Sequence, residues 1–153
     1  MKYFKQKEKY SCAAATFRNL LLLFGKKTTE SRLRKILGTT TQGTDENGIK
    51  QACEFFNLDY EEIIIIKKLK NKIFKTVKEY LNEKYKIILC VDDFSHWVLI
   101  CGIRSDEVII IDPDKNEQTI KYYNQEELLK RWWSVDKEND IKQYYGIAVR
   151  KKY

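Results

Sequence analysis

Four residues of this 153-residue chain, Gln6, Cys12, His96 and Asp112, have types and an order that could do chemistry together. Cys12 opens an apolar run that continues through Leu20-Leu21-Leu22-Leu23-Phe24. A thiol in the first turn of a helix sits among free N–H groups at the positive end of the helix dipole. That setting promotes the thiolate, the nucleophilic form. Gln6, just upstream, can offer its side-chain amide to the same space. With the backbone N–H of Cys12 it would make a two-donor oxyanion hole. His96 is the only histidine of the chain. It can act as general base and then general acid, with Asp112 orienting its ring, as a thiol acyl-transfer mechanism requires.

His96 and Asp112 fall on two adjacent strand signals, His96–Ile103 and Glu107–Asp112. Both positions are even, so an antiparallel hairpin with an even residue sum points both side chains to one face. A register that sets 96 opposite 112 brings their Cβ atoms to about 5 Å, and one that sets Val98 opposite Asp112 leaves His96 diagonal at roughly 7 Å. Either permits an imidazole–carboxylate bond. Asp92 and Asp93, on the loop entering the His96 strand, compete for the role of the acid. Asp112, before Pro113, could also be a plain turn-starting aspartate.

The elements that must position these residues follow from periodicity. Cys12–Phe24 is a helix whose apolar residues imply burial on more than one side, stopped at Gly25. Thr28–Ser31 starts a second helix that ends at Gly38. A third runs from about Asp45 to Phe56, with Asn57 as its C-cap. Tyr60–Ile66 is a β-branched strand signal. Asn71 is placed to cap a fourth helix bearing Ile73, Phe74, Val77, Tyr80 and Leu81. Lys86–Val91, His96–Ile103, Glu107–Asp112 and Thr119–Tyr123 are strands. A short helix with a capping-box start at Asn124–Glu127 carries Leu128, Leu129, Trp132 and Trp133. Tyr144–Val149 is a last strand. The expected class is therefore α+β, with an antiparallel β-sheet. Residues 1–153 are expected to be one domain, helical over about 1–83 and sheet over about 84–153.

Composition excludes several alternatives. Hydrophobic residues make 43% and charged residues 33% of the chain, which reads as soluble and globular. The four cysteines form no CxxC pair, so no metal site is expected, and Cys53, Cys90 and Cys101 read as buried thiols of a reducing compartment. No secretory signal is visible, and the run to Phe24 is too short to span a bilayer, so a cytoplasmic protein without a membrane segment is expected. The net charge is +7, with lysines concentrated at Lys67, Lys68, Lys70, Lys72, Lys75 and Lys78. Without a nucleic-acid-binding motif, that cluster reads as a solvated face, and no nucleic-acid partner is expected.

The pattern resembles the papain-like cysteine peptidase superfamily, and within it the bacteriocin-processing peptidase family, whose members cut leader peptides after a double glycine. The resemblance rests on Gln6 with Cys12, on His96-Trp97-Val98-Leu99-Ile100, and on Val108-Ile109-Ile110-Ile111-Asp112-Pro113. Gly43–Leu58 and the segment with Trp132 and Trp133 are also similar. The resemblance implies a papain-like fold with a central Cys-bearing helix packed on an antiparallel β-sheet. It implies Cys12 as nucleophile, His96 as base and acid, Asp112 as orienter and Gln6 as oxyanion donor, with no cofactor. It also implies a peptide substrate cut after small residues, with a separate transporter as a further partner. The chain departs from the family at Ala13, where glycine is usual, and at Ser11, where an acid is frequent. Many members are the N-terminal part of an exporter. An isopeptidase, transpeptidase or amidase would use the same groups, and a non-catalytic peptide-binding domain is the remaining alternative.

Overall fold

The computed structural model describes residues 2–152. Three helices come first: α1 (Cys12–Leu23), α2 (Glu30–Leu37) and α3 (Glu46–Phe55). Thr29 caps α2 by accepting the Arg32 N–H, and Asp45 caps α3 by accepting from Gly48. Gly38 ends α2 in the left-handed region at φ 66°, where a side chain is disfavoured. Gly48 lets α3 approach α2 closely, since a Cβ there would lie 2.2 Å from the Leu37 carbonyl oxygen.

Seven strands follow: β1 (Leu58–Ile66), β2 (Lys86–Val91), β3 (His96–Arg104), β4 (Glu107–Ile111), β5 (Ile120–Tyr123), β6 (Ser134–Asp136) and β7 (Ile141–Lys151). They form one antiparallel sheet in the order β1-β7-β2-β3-β4-β5, with β6 added onto β7. Between β1 and β2 lie a 3-10 turn, Lys67–Lys72, and α4 (Ile73–Asn82). α5 (Gln125–Arg131) precedes β6 and starts with the expected capping box of Asn124 and Glu127.

The sheet is buried on both faces, which explains why its strands read as nearly continuous apolar runs. Ile88, Cys90, Trp97, Leu99, Ile111 and Ile147 pack with Ala14, Phe17, Leu20 and Leu21 of α1. Their alternating neighbours Ile87, Leu89, Val91, Val98, Ile100 and Ala148 pack with Ile73 and Val77 of α4 and Leu128 of α5. The period of two therefore divides one strand set between two cores.

Three expectations need correction, and one strand was missed. β1 is an edge strand of the same sheet as β2–β7, so a division into a helical part to about 83 and a sheet part from 84 does not describe the architecture. Asn71 does not cap α4; it lies inside the 3-10 turn, and α4 begins after Lys72 without a side-chain cap. Trp132 and Trp133 follow α5 rather than riding on it. β6 was not foreseen, because three residues carry too little periodicity to register.

The β3–β4 register pairs Leu99 with Ile111 and Ile100 with Ile110. One further step sets Val98 opposite Asp112, which is the second of the two registers considered. Nearer the turn, Gly102 pairs with Ile109, so Cys101 is an extra residue in a β-bulge. Arg104 pairs with Glu107 around a two-residue turn, not the three-residue Ile103–Ser105 loop that a 96–112 pairing entails.

Candidate active site

Cys12 is the first residue of α1, and it is nearly buried at the helix end. The end is shaped by the preceding turn, in which Glu8 N–H donates to Ser11 Oγ and Ser11 N–H donates to the Glu8 carbonyl. Thr16, one turn along α1, donates its hydroxyl to the Trp97 carbonyl at 3.0 Å, tying the helix to β3 beside His96. The Trp97 indole in turn donates to the Thr44 carbonyl at 2.9 Å, tying β3 to the loop before α3.

His96 is the first residue of β3 and pairs across with Val91. Its Nε2–H donates to Asp112 Oδ1 at 2.7 Å. That leaves Nδ1 for Cys12, a neighbour whose hydrogen bonding and charge raise the ring. Burial works against the charged ring, but the bonds to Asp112 and Cys12 and the charges on both outweigh it and push His96 up to about 9. The imidazolium is thus the favoured form at neutral pH.

Asp112 is fully buried and its carboxylate is surrounded by donors. Oδ1 accepts from His96 and from the Asp114 N–H at 3.0 Å, while Oδ2 accepts from Lys121 Nζ at 3.3 Å and Arg131 Nη1 at 3.2 Å. Burial alone would raise the carboxyl. The bonds from His96 and Asp114, with the His96 and Lys121 charges, hold it well below the usual carboxylate range. Asp112 makes the Asx-type bond of a turn and the His96 bond with the same oxygen, so the two readings of this residue coexist.

Asp92 and Asp93 are engaged elsewhere. Asp92 pairs with Arg131 through Nη2–Oδ2 at 2.7 Å, and Asp93 accepts the Val135 N–H at 3.0 Å. Gln6 sits beside this group, because its backbone N–H donates to the Pro113 carbonyl at 2.8 Å. Its side-chain amide is differently occupied from the expectation. Nε2 donates to the carbonyls of Glu8 at 2.9 Å and Lys9 at 3.2 Å, while Oε1 is buried with no donor among the described residues. The amide must turn away from one of these carbonyls before it can reach an oxyanion.

Two hollows border these residues. One of about 480 Å³ is lined by Thr40, Thr44, Glu46, Cys90, Phe94 and Trp97. Another of about 350 Å³ lies among Gln6–Lys9 and Asp114–Asn116. Lys121 and Arg131 are neighbours of Asp112 that sequence reasoning missed. Lys121 pairs with Ile110 across β4–β5 and so shares the parity of Asp112, a signal that setting the register of 119–123 against 107–112 could have found. Arg131 left no such signal, since it reaches Asp112 from a helix end.

Comparison with known proteins bears on this geometry. Residues 1–135 match the Peptidase C39 family. The chain is 26% identical over 136 residues to the lactococcin-A transport/processing ATP-binding protein LcnC of Lactococcus lactis subsp. lactis, covering 87% of this chain and 18% of that protein. It is 27% identical over 129 residues to the lactococcin-G-processing and transport ATP-binding protein LagD of the same organism, covering 79% of this chain and 17% of the relative. The chain thus spans less than a fifth of these relatives. Among solved structures, the peptidase domain of Streptococcus ComA superposes with a TM-score of 0.72 at 19% identity, covering 99% of this chain and 98% of that one. A double glycine motif protease from an AMS/PCAT transporter, solved in complex with the leader peptide, superposes with a TM-score of 0.65 at 19% identity, covering 95% and 90%. These likenesses establish the papain-like fold of an α+β peptidase domain.

Proposed function

The chain belongs to the peptidase C39 family and is thereby a cysteine peptidase, and from that premise we propose that it hydrolyses a peptide bond through Cys12, His96 and Asp112, after small residues such as the double glycine of a leader peptide. The observation that carries this reading is His96, held at 2.7 Å by the buried Asp112 carboxylate and raised by its neighbour Cys12 at the end of α1.

His96 already carries the proton as imidazolium beside the Cys12 sulfur, and the thiolate attacks the scissile carbonyl. The oxyanion forms against the Cys12 backbone N–H, which has no partner within its own helix at the start of α1, and against Gln6 once its amide turns from the Glu8–Lys9 carbonyls. The imidazolium donates its proton to the leaving amine, and the amine product departs. His96 then removes a proton from water as it attacks the thioester, and collapse of the second tetrahedral adduct frees the acid and the thiolate, with the proton kept on His96. Asp112 keeps its charge throughout and fixes the ring so that Nδ1 faces sulfur.

The double-glycine substrate is supported by the family and by the leader peptide named with the PCAT-transporter protease. Residues 1–153 are read as one peptidase unit, because one sheet carries both apolar cores. A transporter as partner is supported by LcnC and LagD, whose names join processing with transport. Among the described residues no helix is long and apolar enough to cross a membrane. The four free cysteines suit a reducing compartment, which supports the cytoplasm.

The test is intact mass spectrometry after incubation with a Gly-Gly peptide aldehyde or vinyl sulfone, together with cleavage of a Gly-Gly leader peptide. One adduct at Cys12 and a cut after the second glycine are expected. No adduct, or an adduct on another cysteine, overturns the reading.

A further inference from the structure

The three residues entering His96 hold an unusual backbone. Asp92, Asp93 and Phe94 all lie in the left-handed region, at φ 53°, 58° and 63°. Aspartate tolerates this conformation, but phenylalanine does not favour it, and a consecutive run costs more than single residues do. Such a turn persists only where its surroundings over-determine it. Here the surroundings are the end of α5 and the residues after it. Asp92 N–H donates to the Arg131 carbonyl at 2.8 Å, and Asp93 N–H donates to the Trp133 carbonyl at 2.9 Å. The Arg131 guanidinium adds a two-point pair with Asp92, Nη2–Oδ2 at 2.7 Å and Nε–Oδ1 at 3.4 Å.

The same guanidinium points its Nη1 at Asp112 Oδ2, 3.2 Å away, and at the Tyr123 hydroxyl at 3.3 Å. One planar group therefore fixes both the loop that delivers His96 and the carboxylate that receives it. Only arginine has the fork to do both at once.

We propose that Arg131 is a positioning residue for the peptidase reaction, holding Asp112 and the Asp92–Phe94 turn in the one arrangement that seats the His96 ring. This rests on the peptidase reading of the site. Lys121 cannot replace it, because it contacts Asp112 Oδ2 and Glu117 but not the turn.

The charged groups around the imidazole set the sign of the test. They are Cys12 from α1, Asp112 beyond β4, Lys121 on β5, Arg131 on α5 and Asp92 on the incoming turn. If Arg131 acts by positioning, its loss weakens the imidazole–carboxylate bond and lowers the His96 ionisation. If it acts as a nearby positive charge alone, its loss raises that ionisation. If it matters only for folding, the ionisation of the folded protein does not move.

His96 is the only histidine, so a ring-proton NMR titration reads it directly, without any substrate. We expect titration near 9 in the wild type and a drop of about one pH unit in Arg131→Gln. Arg131→Lys recovers at most half of the shift, since an ammonium cannot span Asp92 and Asp112. The alkaline fall of kcat/KM should move with it. An unmoved or raised His96 titration in either variant overturns the proposal. Arg131→Lys keeps the charge and serves if Arg131→Gln does not fold. A wild type that cleaves no peptide while the titration shifts as stated refutes the peptidase reading and leaves the geometric claim standing.

Discussion

Gln6 and Pro113 are joined by a backbone hydrogen bond of 2.8 Å, which clips the segment entering the Cys12 helix to the residue after Asp112. Lys115 reinforces the clip by donating to the Lys7 carbonyl at 2.6 Å, and Lys5 donates to the Glu117 carbonyl at 2.6 Å. The approach to Cys12 and the exit from Asp112 are therefore one assembly, although they are far apart in the chain.

Cys12 should alkylate far faster than the other cysteines. Burial pushes Cys53 up to about 12, and burial with the nearby Cys12 and Glu46 charges pushes Cys90 well above the ordinary thiol range. Burial also raises Cys101. Brief iodoacetamide treatment at pH 6 followed by peptide mapping should place nearly all label on Cys12. Equal labelling of the four would remove the basis for the site.

Cys12→Ala should abolish turnover, and His96→Ala should lower kcat by about 10⁴ or more. Asp112→Ala should leave measurable activity but also lose stability, about 3 kcal/mol, because Lys121 and Arg131 then face an emptied site. Asp93→Ala should stay within a few-fold of wild-type kcat. Kinetics paired with thermal denaturation separate the two effects. An active Asp112→Ala beside a dead, folded Asp93→Ala would mean that the orienting acid lies on the incoming loop.

Stability should fall as pH rises from about 6.5 to 9. His96 is protonated up to about 9 when folded and to about 6.5 when unfolded. The folded state therefore binds the extra proton in this window, and raising pH costs up to about 1.4 kcal/mol per unit. Below 6.5 the contribution is fully present. The carboxyl of Asp112 is depressed, so its contribution is lost instead as acid protonates it. Urea denaturation of wild type and His96→Gln between pH 6 and 10 checks this: the stability difference should shrink with rising pH, and a constant difference contradicts it.

Gln6→Ala should lower kcat by about 10² with little change in KM, as removal of one oxyanion donor does. A loss of only two- or three-fold would mean that the amide stays on the Glu8 and Lys9 carbonyls during turnover and that backbone N–H groups alone hold the oxyanion.

Substrate profiling should favour Gly-Gly or Gly-Ala before the cut. A library preference for aromatic or basic residues there would contradict the double-glycine reading while leaving the chemistry in place.

The helices and strands were legible because apolar periodicity and caps are local signals. Thr29, Asp45 and the Asn124–Glu127 box mark their helices where the sequence places them. The His96–Asp112 approach was legible because strand parity near 96 and 112 survives the bulge at Cys101, which lies on the turn side of the pair. What escaped depends on contacts across the chain. Arg131 reaches Asp112 from an element with no periodic relation to it. The joining of β1 to β7 is a long-range pairing. The orientation of the Gln6 amide is decided by two carbonyls in a turn, which no spacing rule encodes.

The place of β7 between β1 and β2 bears on when this protein can begin to cut during its synthesis. The last of the seven strands in chain order is an inner member of the sheet, and its Tyr145 and Ile147 pack in the same core as Cys12. A ribosome that has released Cys12, His96 and Asp112 has still not released the strand that locks β2 beside β1. Assembly of the complete cleft therefore waits for the Tyr144–Val149 segment to emerge.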